Sequence, residues 1–398
     1  MDLGADLIAS DAEKLKLLLN VGKLISGRLE LKPLVQEVMR QASMLVSADR
    51  STLWLYDPDR DDIFTYLGEG LAMEVRLPLG KGVAGTAALH RETILVNDAY
   101  ASPYFDPETD KRSGYHTHNL LAVPMESHDG RLLGVVQAVN RLGPEGTGTS
   151  QFTEEDIELL TAMAGFAAVA VENANLYTEQ KRQFDSFIVT LAQSVDARDP
   201  TTSNHTRMVT GIAVAVAQQM GLCEERVERI RIAAILHDYG KIGVPDSVLL
   251  KPGKHDTAEK RMMHSHVLKT ILILSRISFR RDLRDIPAIA GMHHEKLSGE
   301  GYPFGLREEE IPLEGRILAV ADVFQANTQT RPYKAGRTPA EALAECEKMT
   351  QQYFDHYGGL SGVHLDANVV RALREVLVQH GEDLSYFGRL SGWDEMLS

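Results

Sequence analysis

Between His205 and Asp322 the chain carries seven side chains able to ligate a metal: His205, His237, Asp238, His266, His293, His294 and Asp322. Their spacing is regular. There are 32 residues from His205 to His237, 28 from Asp238 to His266, 27 from His266 to His293 and 28 from His294 to Asp322. In an all-helical domain about 28 residues make one helical hairpin out and back, so each return delivers a ligand to the same level. A closed structural zinc site takes four ligands, whereas seven suit two metals sharing a bridging carboxylate. The adjacent His237 and Asp238 can ligate one metal together while the aspartate reaches a second. Such a set is expected of a catalytic centre. Imidazole suits iron, manganese or zinc, so the residue types leave the metal open.

Helices must position these ligands. His205 opens one, with Val209, Ile212, Ala213 and Val216 on its buried side, and a helix over Glu225–Leu236 runs directly into His237-Asp238. Upstream, Thr153 to Asp199 contains no proline and one glycine, Gly165, and Pro200 ends the helix that this implies. Along it Met163, Ala167, Ala170, Ala174, Tyr177, Lys181, Phe184, Ile188, Leu191 and Val195 alternate steps of four and three. That is a heptad seam, read as a parallel homodimer joined by a long signalling helix. The other reading is two amphipathic helices that pack on their own domains.

Nearer the N-terminus, residues 13–47 read as helical with a break between Gly27 and Pro33. The period then shifts to strands. Residues 52–56 and 63–67 flank the turn Asp57-Pro58-Asp59, and residues 120–125 and 132–139 flank Asp129-Gly130, a favoured hairpin signal. Helices around an antiparallel sheet make an α+β domain of sensor size.

Composition bounds the function. A chain of 398 residues with 43% hydrophobic and 25% charged residues reads as two or three ordinary globular domains. A net charge of −14 argues against binding long nucleic acid, and two cysteines, Cys223 and Cys346, exclude a disulfide framework or a cysteine-based zinc site. The N-terminus has no basic, apolar signal-peptide pattern, and the longest apolar run, Ala162 to Val171, is short for a span. The expected location is the cytoplasm, away from the membrane.

Two families are resembled. Gly80-Lys81-Gly82-Val83-Ala84-Gly85, Val96-Asn97-Asp98-Ala99-Tyr100 and Asn119-Leu120-Leu121-Ala122-Val123-Pro124 are similar to a GAF domain, and the stretch from Tyr104-Phe105-Asp106-Pro107 through Gly114-Tyr115-His116-Thr117-His118-Asn119 is closer still to those of cyclic-nucleotide phosphodiesterases. The Asn-Lys…Phe…Asp-Glu pattern of those domains is matched by Asn140-Arg141, Phe152 and Asp156, with Arg141 for lysine and Ile157 for the last glutamate. An Arg141–Asp156 ion pair could hold the same elements together. Asn119, Asn140, Arg141, Phe152 and Asp156 are thus expected as pocket or structural residues. The resemblance implies a site for a cyclic nucleotide or another small effector, or else a ligand-free dimerisation domain.

The second half resembles the HD-GYP branch of the HD-domain metal-dependent phosphohydrolases. The likeness rests on His237-Asp238-Tyr239-Gly240-Lys241, Pro252-Gly253-Lys254, His293-His294-Glu295, Gly299-Glu300-Gly301-Tyr302-Pro303, Ala321-Asp322-Val323-Phe324 and Arg331-Pro332-Tyr333-Lys334. It implies a first metal on His205, His237, Asp238 and Asp322, and a second on Asp238, His266, His293 and His294. Asp238 bridges, and iron or manganese is the usual metal. Asp238 and Lys241 would be the catalytic residues. Lys241, Gly301, Tyr302, Pro303, Arg331 and Lys334 would face the substrate, cyclic di-GMP, which the family hydrolyses to pGpG or GMP through a hydroxide held between the metals.

The implied layout is a GAF sensor domain over 1–153, a linker and dimerisation helix over 154–183 and an all-α HD-type domain over 184–398. Four departures stand out: Thr201 where members with a third metal carry glutamate, Ser298 and Gln325 where aspartate is usual, and Gln329-Thr330 for Ser-Asp. They leave two alternatives open: a catalytically weak receptor for the dinucleotide, and a phosphodiesterase for another cyclic dinucleotide such as cyclic GMP-AMP.

Overall fold

The computed structural model describes residues 31–68, 75–143, 148–198, 204–330, 335–351, 353–354, 360–381, 383–393 and 396. The helix expected before Leu31 lies outside them, as do Thr201, Arg331 and Lys334. The chain divides into two compact units, Met1–Lys181 and Arg182–Ser398.

In the first unit, period-2 patterning builds one antiparallel sheet. Its strands are β1 (Ala48–Asp57), β2 (Asp62–Gly68), β3 (Arg76–Pro78), β4 (Ile94–Val96), β5 (Leu120–Glu126) and β6 (Leu132–Arg141), in the order β3-β2-β1-β6-β5-β4. Alternate side chains go to opposite faces. Leu53, Leu55, Leu121, Val123, Met125, Val136 and Ala138 meet helix α1 (Leu31–Leu45) and the long helix α4 (Glu154–Asp196). Trp54, Leu120, Ala122 and Val135 meet helix α2 (Gly82–His90) on the other face. A short helix α3 (Glu108–Ser113) precedes β5. The strand pairs expected from the sequence are β1–β2 and β5–β6. The short β3 and β4 carry too few residues to show a period.

Helix α4 changes the meaning of the heptad seam. It runs unbroken for 43 residues, past the expected end of the linker at 183. Its Met163, Ala167 and Ala170 are buried in the sheet core of the first unit, and Ile188 and Val195 are buried in the second unit. The two ends of the seam are buried within the chain, while Lys181 at its middle is exposed and Tyr177, Phe184 and Leu191 are half-buried. Among the described residues this is the one helix long and apolar enough to cross a membrane by length and composition, with a mean hydropathy of 1.4 over its best window. Leu160, Met163, Ala164, Ala167, Ala168 and Val171 in that stretch pack on the sheet instead.

The second unit is helical. Helix α5 (His205–Gln219) is buried on all sides from Val209 to Ala217, as a central core helix must be. Around it pack α6 (Glu224–Leu236), α10 (Leu313–Thr328), α12 (Ala367–His380) and α13 (Leu384–Leu390), joined by Ile230, Ile317, Phe324, Leu373 and Phe387. A Cβ on Gly211 would lie 1.7 Å from the Phe387 carbonyl oxygen, so α5 and α13 touch only because this residue is glycine. Helices α7 (Asp246–Leu249), α8 (Thr257–Leu274), α9 (Ile286–Ala290) and α11 (Pro339–Lys348) and a two-stranded hairpin, Tyr353–Phe354 with Leu360–Ser361, complete the unit. Asp256 and Glu259 close a capping box that starts α8.

Candidate metal centre

All seven candidate ligands come from element ends or helix faces that turn toward one point. His205 is the first residue of α5, His237 and Asp238 follow α6, His266 lies within α8, His293 and His294 follow α9, and Asp322 lies within α10. A short 3₁₀ turn, Tyr239–Gly243, presses Asp238 toward α8. A Cβ on Gly240 would lie 1.9 Å from the His266 carbonyl oxygen. Thr270 locks the same contact: its hydroxyl accepts from the Gly240 N–H at 2.8 Å and donates to the His237 carbonyl at 3.0 Å.

Four of the five rings are held by the nitrogen that faces away from the centre. His237, His266 and His293 place Nδ1 at 2.6, 2.7 and 2.7 Å from the carbonyls of Ala234, Met263 and Ala290, each three residues back. His205 Nδ1 meets Gln325 Oε1. Oxygens of this kind only accept, so Nδ1 carries the proton and Nε2 presents a bare lone pair. These lone pairs then face each other. His205 Nε2 is 3.3 Å from His237 Nε2, and His266 Nε2 is 3.3 Å from His293 Nε2. Two acceptors cannot bond one another. A cation between them satisfies both.

The carboxylates supply the negative charge. Asp238 Oδ2 lies 3.6 Å from His205 Nε2 and 3.4 Å from His237 Nε2, while its Oδ1 lies 3.2 Å from His266 Nε2 and 3.8 Å from His293 Nε2. Asp322 turns Oδ1 to His205 at 3.4 Å and Oδ2 to His294 Nδ1 at 3.8 Å, so it too faces both sets. Two groups emerge whose atoms could hold a metal ion: His205, His237 and Asp238, and His266, His293 and His294. By donor type and convergence they fit divalent transition metals.

Electrostatics agree with that reading. Burial alone would raise the Asp238 carboxyl, but the Lys241 ammonium, 2.6 Å from Oδ2, and the His237 and His266 rings hold it well below the usual range. Burial, then the neighbouring rings, pushes His293 well down and His294 down to about 3. Burial lowers His205 as well. The lowered imidazoles of His205, His293 and His294 are neutral, the state that ligation needs, whereas at His237 burial is outweighed by the Asp238 carboxylate, which raises it.

The Gly-Tyr-Pro loop is stitched to this centre. Tyr302 N–H donates to the His294 carbonyl at 3.2 Å, and Gly301 has no room for a side chain, since a Cβ would lie 2.5 Å from Glu295 Cα. Buried Glu295 accepts from the N–H groups of Phe304 and Leu306 at 2.8 and 2.9 Å. Its role went unread in the sequence, where its place beside the histidine pair was the only sign. His264, two residues before His266, stays out of the ligand cluster and stacks on Tyr302. Ser298 meets Glu300, which in turn accepts from His364 at 2.9 Å.

The expected GAF residues hold the domain together. Asn140, at φ 53°, accepts from the His118 N–H at 2.6 Å and donates to the His116 carbonyl at 2.8 Å. Asn119 bridges Ser150 and Arg141, Arg141 pairs with buried Asp156 at 2.7 Å, and Phe152 is buried in the core. None of these five lines a cavity of about 210 Å³ in the domain, whose walls include Trp54, Phe105 and Leu120 with Arg50, Lys81, Asp106 and Asp110.

Fold and site together define a sensor domain followed by a helical metal-site domain, and comparison with known proteins gives the classes. Residues 30–171 match the family model of the GAF domain and residues 190–357 that of the HD domain, so the chain carries both. It is 46% identical over 165 residues to the cyclic di-GMP phosphodiesterase response regulator RpfG of Xanthomonas campestris pv. campestris, covering 42% of this chain and 43% of that one. It is 43% identical over 157 residues to the cyclic di-GMP phosphodiesterase of Thermotoga maritima, covering 39% and 42%. With 3'3'-cGAMP-specific phosphodiesterase 2 of Vibrio cholerae it shares 36% identity over 205 residues, covering 52% and 39%. The chain thus spans about two fifths of the length of these curated relatives. The HD-GYP resemblance is borne out over the helical half.

Proposed function

We propose that the protein is a metal-dependent phosphodiesterase that hydrolyses cyclic di-GMP to pGpG or GMP under control of its GAF domain. The observation that carries this reading is Asp238, whose two oxygens each face a pair of bare imidazole nitrogens. His205, His237, Asp238 and Asp322 would hold one cation, and Asp238, His266, His293 and His294 the other. Iron or manganese is favoured, and zinc is also served by these donors. When bound, such a pair supplies Lewis acidity to the phosphodiester and to water.

The chain's own groups do the rest. Asp238 and Asp322 balance the charge, and Gln325 fixes the His205 tautomer. Lys241, mostly buried beside Asp238, places a positive charge where a phosphate oxygen would approach. Gly301, Tyr302 and Pro303 shape one wall of the substrate site, and Arg331 and Lys334 belong to the same reading. The cavity lined by Trp54, Phe105, Arg50, Lys81, Asp106 and Asp110 supports a small effector such as a cyclic nucleotide in the GAF domain. The reading includes a homodimer, with both domains in the cytoplasm.

The test is to incubate metal-loaded protein with cyclic di-GMP and resolve the products, with Asp238→Ala as control. pGpG or GMP from the parent, and neither product nor retained metal in the variant, is the expected result. Intact cyclic di-GMP in both would refute the reading. A second substrate, 3'3'-cGAMP, has one observation in its favour, the longer match to a cGAMP-specific relative. Its cleavage in preference to cyclic di-GMP would establish that alternative.

A further inference from the structure

We propose that the exposed face of His264 is a stacking platform for one purine base of the cyclic dinucleotide, an inference that rests on the phosphodiesterase reading above. His264 is on α8 two residues before His266, a spacing that sends the two side chains in different directions. Its ring lies parallel to that of Tyr302, with centroids 4.0 Å apart and planes at 6°. Tyr302 in turn packs at 4.7 Å, tilted by 33°, against His294 of the ligand cluster. The three rings step outward from the metal centre to the surface.

The stack decides which π-face a base can use. Tyr302 is half-buried, with His264 flat on it and His294 tilted against it, so little of its surface is open. His264 is exposed although one of its faces is covered by Tyr302. Its remaining face is therefore the open aromatic surface of the cluster. A phosphate held beside the Lys241 ammonium, itself 2.6 Å from Asp238 Oδ2, would let the attached nucleoside reach past the Tyr302 ring to this face.

Stacking of a base on an aromatic side chain contributes to binding in both ground and transition states, so its loss belongs in KM. The experiment uses the full, metal-loaded chain and compares steady-state cyclic di-GMP hydrolysis by the parent, His264→Ala and His264→Phe. The alanine variant is expected to raise KM about 5- to 150-fold with kcat and metal content retained, and phenylalanine to bring KM back. An unchanged KM in His264→Ala would overturn the proposal. So would a fall in kcat together with lost metal, which would make His264 a support for the Tyr302 loop alone. If the parent itself neither binds nor cleaves the dinucleotide, the phosphodiesterase reading fails and takes this one with it. Parent activity with an indifferent His264→Ala sinks the platform alone.

Discussion

At the scale of single residues, the centre depends on which nitrogen of each histidine holds its proton, and that is set by an oxygen elsewhere. For three rings the oxygen is the carbonyl three residues back, which any helical sequence provides. For His205 it is the Gln325 side chain, 120 residues away. Gln325→Ala is expected to weaken metal binding about 10- to 100-fold, measured by titration against a competing chelator, with Gln325→Glu restoring it. The seven ligands were legible as residue types at regular intervals. Gln325 was legible only as a departure, because accepting one hydrogen bond depends on where an oxygen sits and not on its charge.

At the scale of elements, close approach and burial decide what spacing leaves open. The 3₁₀ turn after Asp238 can touch α8 because Gly240 lacks a side chain. Gly240→Ala must push these elements apart, so thermal denaturation should show a loss of about 1–3 kcal/mol together with weaker metal binding. Helix α4 teaches the converse. Its heptad spacing marks a buried stripe but not its partner, and the partner is the chain's own two cores. The residues left outside include Val169 and Leu176, 48% and 58% exposed and seven apart, as neighbours along a coiled-coil seam are. If the protein is a homodimer through this helix, the double substitution Val169→Glu, Leu176→Glu is expected to give monomers by light scattering. An unchanged mass would place any dimer contact elsewhere.

At the scale of the whole molecule, two compact units with separate cores are expected to unfold in two calorimetric transitions. Metal that binds only the folded helical unit should raise one of them. At a free concentration about 100-fold above Kd the gain is about 2.7 kcal/mol, and a chelator should remove it while leaving the other transition in place. A single transition moved as a whole would show that the units are thermodynamically coupled. By itself the sequence offered seven candidate ligands, the succession of sheet and helices and a resemblance to two families. The candidates and the elements follow from residue type and local period, which are properties of the chain in one dimension, and the resemblance from motifs. Only the tertiary structure decided that Asp238 and Asp322 each face both sets of nitrogens, that Gln325 meets His205, that His264 lies against Tyr302 and that the two ends of the α4 seam are buried. Each of those depends on a distance between residues far apart in the chain, and no local pattern encodes such a distance.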